Sequence, residues 1–197
     1  MIKLHIGCFD VPLDGWYNTD ITPHIFIARI SFLAKVLHAI GVMDQTRFWQ
    51  HRDGVFRKVH YLDAVKRFPL ANDSVEAVYC SHVLYNFSRP RALFCVKEVY
   101  RVLKPRGVFR VAVIDLDTIV ESYDPVHPEY FLDVIYQPTI KGGKNHMCWS
   151  YNANSLKALL QEGGFTTVER VELGKGKCPD VERIDYRPSS LFMEGIK

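Results

Sequence analysis

The chain has 197 residues, 48% of them hydrophobic and 24% charged, with a formal net charge of +3. That length suits a single domain with a sizeable core, and the balance excludes a disordered chain. So mild a charge does not suggest a nucleic-acid binder with a dedicated basic face, and it excludes nothing.

Lys3–Ile6 reads as a first strand and Trp16–Ile21 as a second. About nine residues separate them, fewer than the dozen or more of a helical crossover, so a shortened first crossover is expected. Gly7 opens the turn between them, and Phe9 stands where nucleotide-binding turns usually carry a further glycine. Phe9 can serve there if its backbone keeps a negative φ or if its ring turns away from the ligand. Thr22 as cap and Pro23 at the first position start a helix. In it Phe26, Ile27, Ile30, Leu33, Ala34, Leu37 and Ile40 recur at helical spacing, and Gly41 supplies the stop. Its stretch Ile25–Ile40 is broken by Arg29, Lys35 and His38 and is too short to span a bilayer. A core-facing helix is the expected reading, with docking on a membrane or a partner as the alternative.

Residues 43–54 read as a loop or short helix and Lys58–Leu62 as the third strand. A turn at Asn72–Ser74 precedes a buried strand, Ala77–Cys80. Ser88 and Pro90 open a helix with an apolar stripe of Leu93, Val96, Val99, Tyr100 and Leu103. After a turn at "LKPRG" comes the fifth strand, Val108–Ile114. A Tyr- and Pro-rich stretch follows, helical over 129–137, with Gly142-Gly143 as a break. Asn152–Glu162 is a helix, Thr166–Leu173 a strand and Ser190–Ile196 a last strand. No crossover helix fits between those two strands, so they are expected to be antiparallel. Alternating strands and helices make this an α/β chain with a mostly parallel sheet. Five cysteines without CxxC spacing indicate neither disulfides nor zinc and fit a reducing compartment. With no basic region leading a long apolar run, no signal peptide is expected, and the protein reads as soluble and cytoplasmic.

Five segments then stand together in order: "LHIGC" with "DGWYNTDI", "FPLANDSVEAVYCSHVL", "EVYRVLKPRGVFRVAVIDL", "WSYNANSLKALLQEGGF" and the terminal strand. With them the chain resembles class I S-adenosylmethionine-dependent methyltransferases, most closely a short bacterial, type-11-like branch. The resemblance implies one methyltransferase-like domain over residues 1–197. Its fold would be a three-layer, doubly wound, Rossmann-like α/β fold with a mostly parallel seven-strand sheet and an antiparallel last strand. It implies S-adenosylmethionine as cofactor, over the carboxyl ends of the first strands, and a small-molecule or saccharide-precursor acceptor. Neither a nucleic-acid nor a membrane partner is expected, and the oligomeric state is left open. The alternative is a degenerate, non-catalytic binding module whose first turn is blocked by the Phe9 ring.

Candidate site residues follow from the same segments. Gly7 matches the family's first glycine and Cys8 follows it, as a cofactor turn or a plain strand end. Asp20 ends the second strand, where a carboxylate can accept hydrogen bonds from ribose hydroxyls or cap the next helix. It lies thirteen residues after Gly7, against roughly twenty in dinucleotide folds, which argues against an NAD protein. The resemblance implies that Asp63 contacts the adenine amino group and the Ala64 N–H the ring; the plain reading of Asp63 is a turn. Ser81 and His82 end the fourth strand beside the methionine end of the cofactor. His82 is the candidate general base, or simply a strand-end hydrogen-bonding residue. Tyr85 and Asn86 depart from the family's "HVLEH", which bears on the acceptor. His146, Trp149 and Tyr151 lie where the resemblance puts the border of the acceptor pocket, and they suit ring or sugar contact or helix packing. Asp115 and Asp117 could position an acceptor or be loop residues.

Overall fold

A computed structural model of the chain describes residues 2–30, 32–136 and 148–197. One sheet contains β1 (Ile2–Ile6), β2 (Tyr17–Asp20), β3 (Val59–Tyr61), β4 (Val75–Ser81), β5 (Leu103–Ile114), β6 (Thr167–Val171) and β7 (Ser190–Ile196). Its order is β3-β2-β1-β4-β5-β7-β6. All strands run parallel except β7, which is antiparallel to both neighbours. Around it lie α1 (His24–Ile27), α2 (Leu33–Ala39), α3 (Gln45–Arg52), α4 (Arg89–Val102), α5 (Leu116–Glu121), α6 (Glu129–Tyr136), α7 (Ala153–Glu162) and α8 (Val181–Ile184). The last two strands pair antiparallel, as expected. No helix lies between β1 and β2, so the first crossover is shortened.

Alternate side chains of a strand go to opposite faces. In β4, Val78 and Cys80 enter one core while Ala77 and Tyr79 enter another. Burial on both faces explains its continuous apolar run. On the first face α4 and α7 bring Cys95, Val96, Val99, Leu156, Leu159 and Leu160 into the main core. Asn152 and Ser155 form a capping box that fixes the start of α7. Among the described residues the second face carries no long helix. Trp16, Cys178, Val181 and Ile184 cover it instead. Lys3 Nζ and Trp16 Nε1 both donate to Asp180, at 2.6 and 3.0 Å, and the Tyr79 hydroxyl donates to Ile184 O at 2.9 Å.

β5 carries a fully buried charge on that face, Arg110. Its Nε donates to Asp185 Oδ1 at 3.0 Å, its Nη2 to Asp185 Oδ2, and its Nη1 to Glu194 Oε1 at 2.9 Å. The remaining donors meet the backbone oxygens of Lys175 and Glu172. Glu194 accepts the N–H groups of Lys177 and Cys178, and Asp185 that of Gly174. A buried cation is tolerated only when its donors are met this completely. The network pins residues 172–185 to the sheet.

The structure corrects the sequence in two places. The single helix expected through Ile40 is two short ones, α1 and α2, and Thr22 Oγ1 lies a long 3.4 Å from the His24 N–H. Ile25 is the buried residue of α1, and α2 buries none. The core-facing reading therefore fails for α2. Helical spacing shows that a helix has an apolar face but not what that face meets. α2 packs on α3 instead, with the His38 ring stacked on Phe48 at 4.5 Å. Around Arg106, at φ 69°, the pairing jumps from Val75–Leu103 to Ala77–Val108, so the "LKPRG" turn sits inside β5.

Candidate functional site

The carboxyl ends of β1 to β4 meet at one edge of the sheet, where open α/β sheets bind ligands. A cleft of about 650 Å³ lies there, a small-molecule size. Gly7, Cys8, Asp20, Asp63, Ala64, Ser81 and His82 all line it.

Gly7 has φ 71°, and a Cβ on it would lie 2.2 Å from Val83 Cγ2. Both conditions require glycine. The N–H groups of Gly7 and Cys8 donate to Thr19 O at 2.8 and 3.0 Å. They tie β1 to β2, so this turn offers a ligand close backbone approach rather than free donors. The Cys8 side chain packs with Ile25 and Val59, and burial, aided by the Asp20 charge, pushes its thiol up to about 12. It is a neutral packing group.

Phe9 has φ 44°, so its backbone does not stay negative. Its ring centroid lies 6.2 Å from that of Phe56 and 6.4 Å from that of His24, with the Arg47 guanidinium 4.4 Å from its centre. Phe9 itself stands in the cleft wall while those three residues do not, and the cleft is open beside it rather than plugged. Asp10 holds Arg47 at 2.6 Å. Burial raises the Asp10 carboxyl, but the hydrogen bonds from Arg47 and Gln50 more than offset it and leave it below the usual range.

Asp20 accepts the Phe9 N–H on Oδ2 at 3.0 Å and the Thr22 N–H on Oδ1 at 2.7 Å. A carboxylate offers about four acceptor sites, so each oxygen keeps a second one. Asp63 accepts the Val65 N–H at 3.1 Å in a turn and lies 3.3 Å from Lys66 Nζ. Between them the Ala64 N–H has no hydrogen-bond partner among the described residues. An orphan donor beside a carboxylate fits a two-point reading of a purine edge.

His82 has φ 58°, and its Nε2 lies 2.9 Å from Ser190 Oγ. Its Nδ1 is buried with no partner among the described residues. Burial, and then the Arg187 charge, lower its pKa to about 4. The ring is therefore neutral at pH 7 and a weak base.

His146 lies outside the described residues. Trp149 and Tyr151 do not line this cleft. The N–H groups of Cys148 and Trp149 donate to Tyr85 O, which leaves the Trp149 side chain exposed. Tyr151 then bridges to Asp115, and its ring enters the main core. Asp115 caps α5 and pairs with Arg170 at 3.2 Å, while Asp117 accepts from Asn152. Both acids are structural. Arg91, Tyr186 and Arg187 also line the cleft, and no sequence motif marks them. Arg91 sits in the first turn of a helix and reads as solvated. The other two follow the pinned Asp185 in a segment without periodicity. Neither arginine makes an ion pair or a side-chain hydrogen bond among the described residues.

Residues 37–111, less than half of the chain, match the model of a methyltransferase domain family. That match holds Asp63, Ala64, Ser81 and His82 but not Gly7 or Asp20. The whole chain also superposes on a SAM-dependent methyltransferase from Thermotoga maritima, with TM-score 0.56 and 19% identity over 100% of this chain and 82% of that one. The chain has a class I methyltransferase fold. A SAM-dependent methyltransferase from Archaeoglobus fulgidus shares this fold at TM-score 0.53 and 15% identity, over 99% of this chain and 85% of that one. PigF, solved with SAH, shares it at 0.54 and 14%, over 100% of this chain and 50% of PigF. No curated protein matches the sequence.

Proposed function

We propose that this protein transfers a methyl group from S-adenosylmethionine to a small-molecule acceptor in the cytoplasm, with a saccharide precursor fitting best. The reading rests on the pair of acids at adjacent strand ends of one cleft, Asp20 after β2 and Asp63 after β3, with the orphan Ala64 N–H beside the second. Asp20 would hold the ribose hydroxyls on its spare acceptor sites. Asp63 and Ala64 would take the amino group and a ring nitrogen of adenine. The methionine end would lie over Gly7, near Ser81 and His82. A fold neighbour solved with SAH supports the choice of cofactor.

When bound, the cofactor supplies a methyl carbon made electrophilic by its sulfonium. The chain's own work is to align an acceptor and keep water out. A neutral, weakly basic His82 suits acceptors that need no full deprotonation before attack. The unpaired Arg91 and Arg187 suit an acceptor with a carboxylate or phosphate, as in a sugar phosphate. No helix among the described residues is long and apolar enough to cross a membrane.

Calorimetry with S-adenosylhomocysteine tests the cofactor half. Saturable binding, weakened in Asp63→Ala, is expected. A folded protein that gives no binding heat at millimolar ligand would remove the enzyme reading and leave the architecture alone.

A further inference from the structure

Residues 21–43 carry Arg29, Lys35, His24 and His38 but no aspartate or glutamate. The acids on either side are occupied: Asp20 accepts the Phe9 and Thr22 N–H groups, and Asp44 caps α3 through the Arg47 N–H. Among the described residues this basic stretch also holds seven of the twenty exposed large hydrophobic side chains. Phe32, Val36 and Ile40 are 64%, 44% and 65% exposed. They recur every fourth residue, which places them in one row along α2. Ile21, Phe26, Ile30 and Val42 are exposed as well. Single exposed apolar residues are ordinary, but so dense a run, on a helix that buries none of its residues, marks a contact face.

We infer that this face docks on an anionic lipid bilayer, with the Phe32–Val36–Ile40 row in the headgroup boundary and Arg29 and Lys35 on the lipid phosphates. Apolar residues beside unneutralised basic ones are what binds the surface of such a bilayer. A second copy of the chain fits less well. A two-fold interface sets each patch against itself, and here it would bring like charges together with no acid to relieve them. Ile21 belongs both to this face and to the cleft wall, so docking brings the cleft mouth to the lipid–water boundary. This inference departs from the expectation of no membrane partner and needs no spanning segment.

Flotation with vesicles tests it, using phosphatidylcholine alone and phosphatidylcholine mixed with phosphatidylserine. The protein is expected to float with the mixed vesicles, and less so as salt rises. V36D/I40D and R29Q/K35Q should each weaken binding about tenfold or more. Circular dichroism and S-adenosylhomocysteine binding should stay unchanged in both. The cofactor titration stands apart from flotation, so failure of the enzyme reading and failure of this one are distinct results. A folded wild-type protein that ignores the mixed vesicles overturns the inference. So does equal flotation of V36D/I40D. Concentration-dependent dimerisation lost in V36D/I40D, without vesicle binding, would give the face to a second copy and overturn it too.

Discussion

Substitution of Phe9 separates a backbone cost from a side-chain gain. At φ 44° the residue sits in the left-handed region, which costs a side chain with a Cβ about 1–2 kcal/mol. The ring recovers this. Its half-buried contacts with Phe56 and His24 contribute about 1–2 kcal/mol, and the guanidinium over its face about 0.5–1 kcal/mol. Phe9→Ala keeps the backbone cost and loses the ring, an expected loss of about 2 kcal/mol. Phe9→Gly loses the same contacts but relieves the backbone, less about 0.4–1 kcal/mol for a more flexible unfolded chain. The glycine variant should therefore be about 1 kcal/mol more stable than the alanine variant, though still below wild type. Urea unfolding followed by tryptophan fluorescence measures this, provided the slopes agree among the three proteins. An alanine variant as stable as the glycine variant would show that Phe9 is not left-handed in solution. The account of the turn would then be wrong.

Gly7→Ala meets Val83 at 2.2 Å and a positive φ together, so it should cost more than about 2 kcal/mol in the same assay. Asp20→Ala should lower S-adenosylhomocysteine affinity about tenfold or more in calorimetry, from lost charge-assisted hydrogen bonds. Arg110→Met leaves Asp185 and Glu194 buried without a cation, and should cost about 3–5 kcal/mol of unfolding free energy. Burial lowers His5, His51 and His82 to about 4 in the folded protein, against an ordinary value near 6.5. Between those values the unfolded chain binds more protons, so stability is full above about pH 6.5 and falls as pH drops toward 4. The urea midpoint should therefore be lower at about pH 5 than at neutral pH; a flat profile would show these rings to be accessible.

What the sequence made legible follows from local pattern. β7 was readable over Ser190–Ile196 from its short apolar run, which is buried on both faces and pairs on both sides. α7 was readable over Asn152–Glu162, one residue from its observed start, where Asn152 and Ser155 form the capping box. Asp20 and Asp63 were readable because each closes a strand, and strand ends are where a ligand can be reached. Other features depend on distance along the chain. Nothing beside Arg110 in the sequence marks its partners, because its acids lie 75 and 84 residues away. Tyr186 and Arg187 reach the cleft only because that network anchors the residue before them. Tyr151 and Trp149 had the right residue types and the right neighbourhood, yet a two-residue backbone anchor on Tyr85 sends one inward and the other outward. α2 shows the limit of periodicity, which reports an apolar face and says nothing of its occupant.

With no helix in the first crossover, the sheet beside β1 is roofed by residues from the far end of the chain. Asp180 meets Lys3 across 177 residues and Trp16 across 164. Contacts that span so much chain form late. Until residues 178–184 have left the ribosome, Trp16 and Tyr79 have no lid, and the preceding strands form a half-clad layer that invites chaperones. Nascent chains halted before Cys178 would stay in that state, and the emergence of Cys178, Val181 and Ile184 would be the event that covers this face.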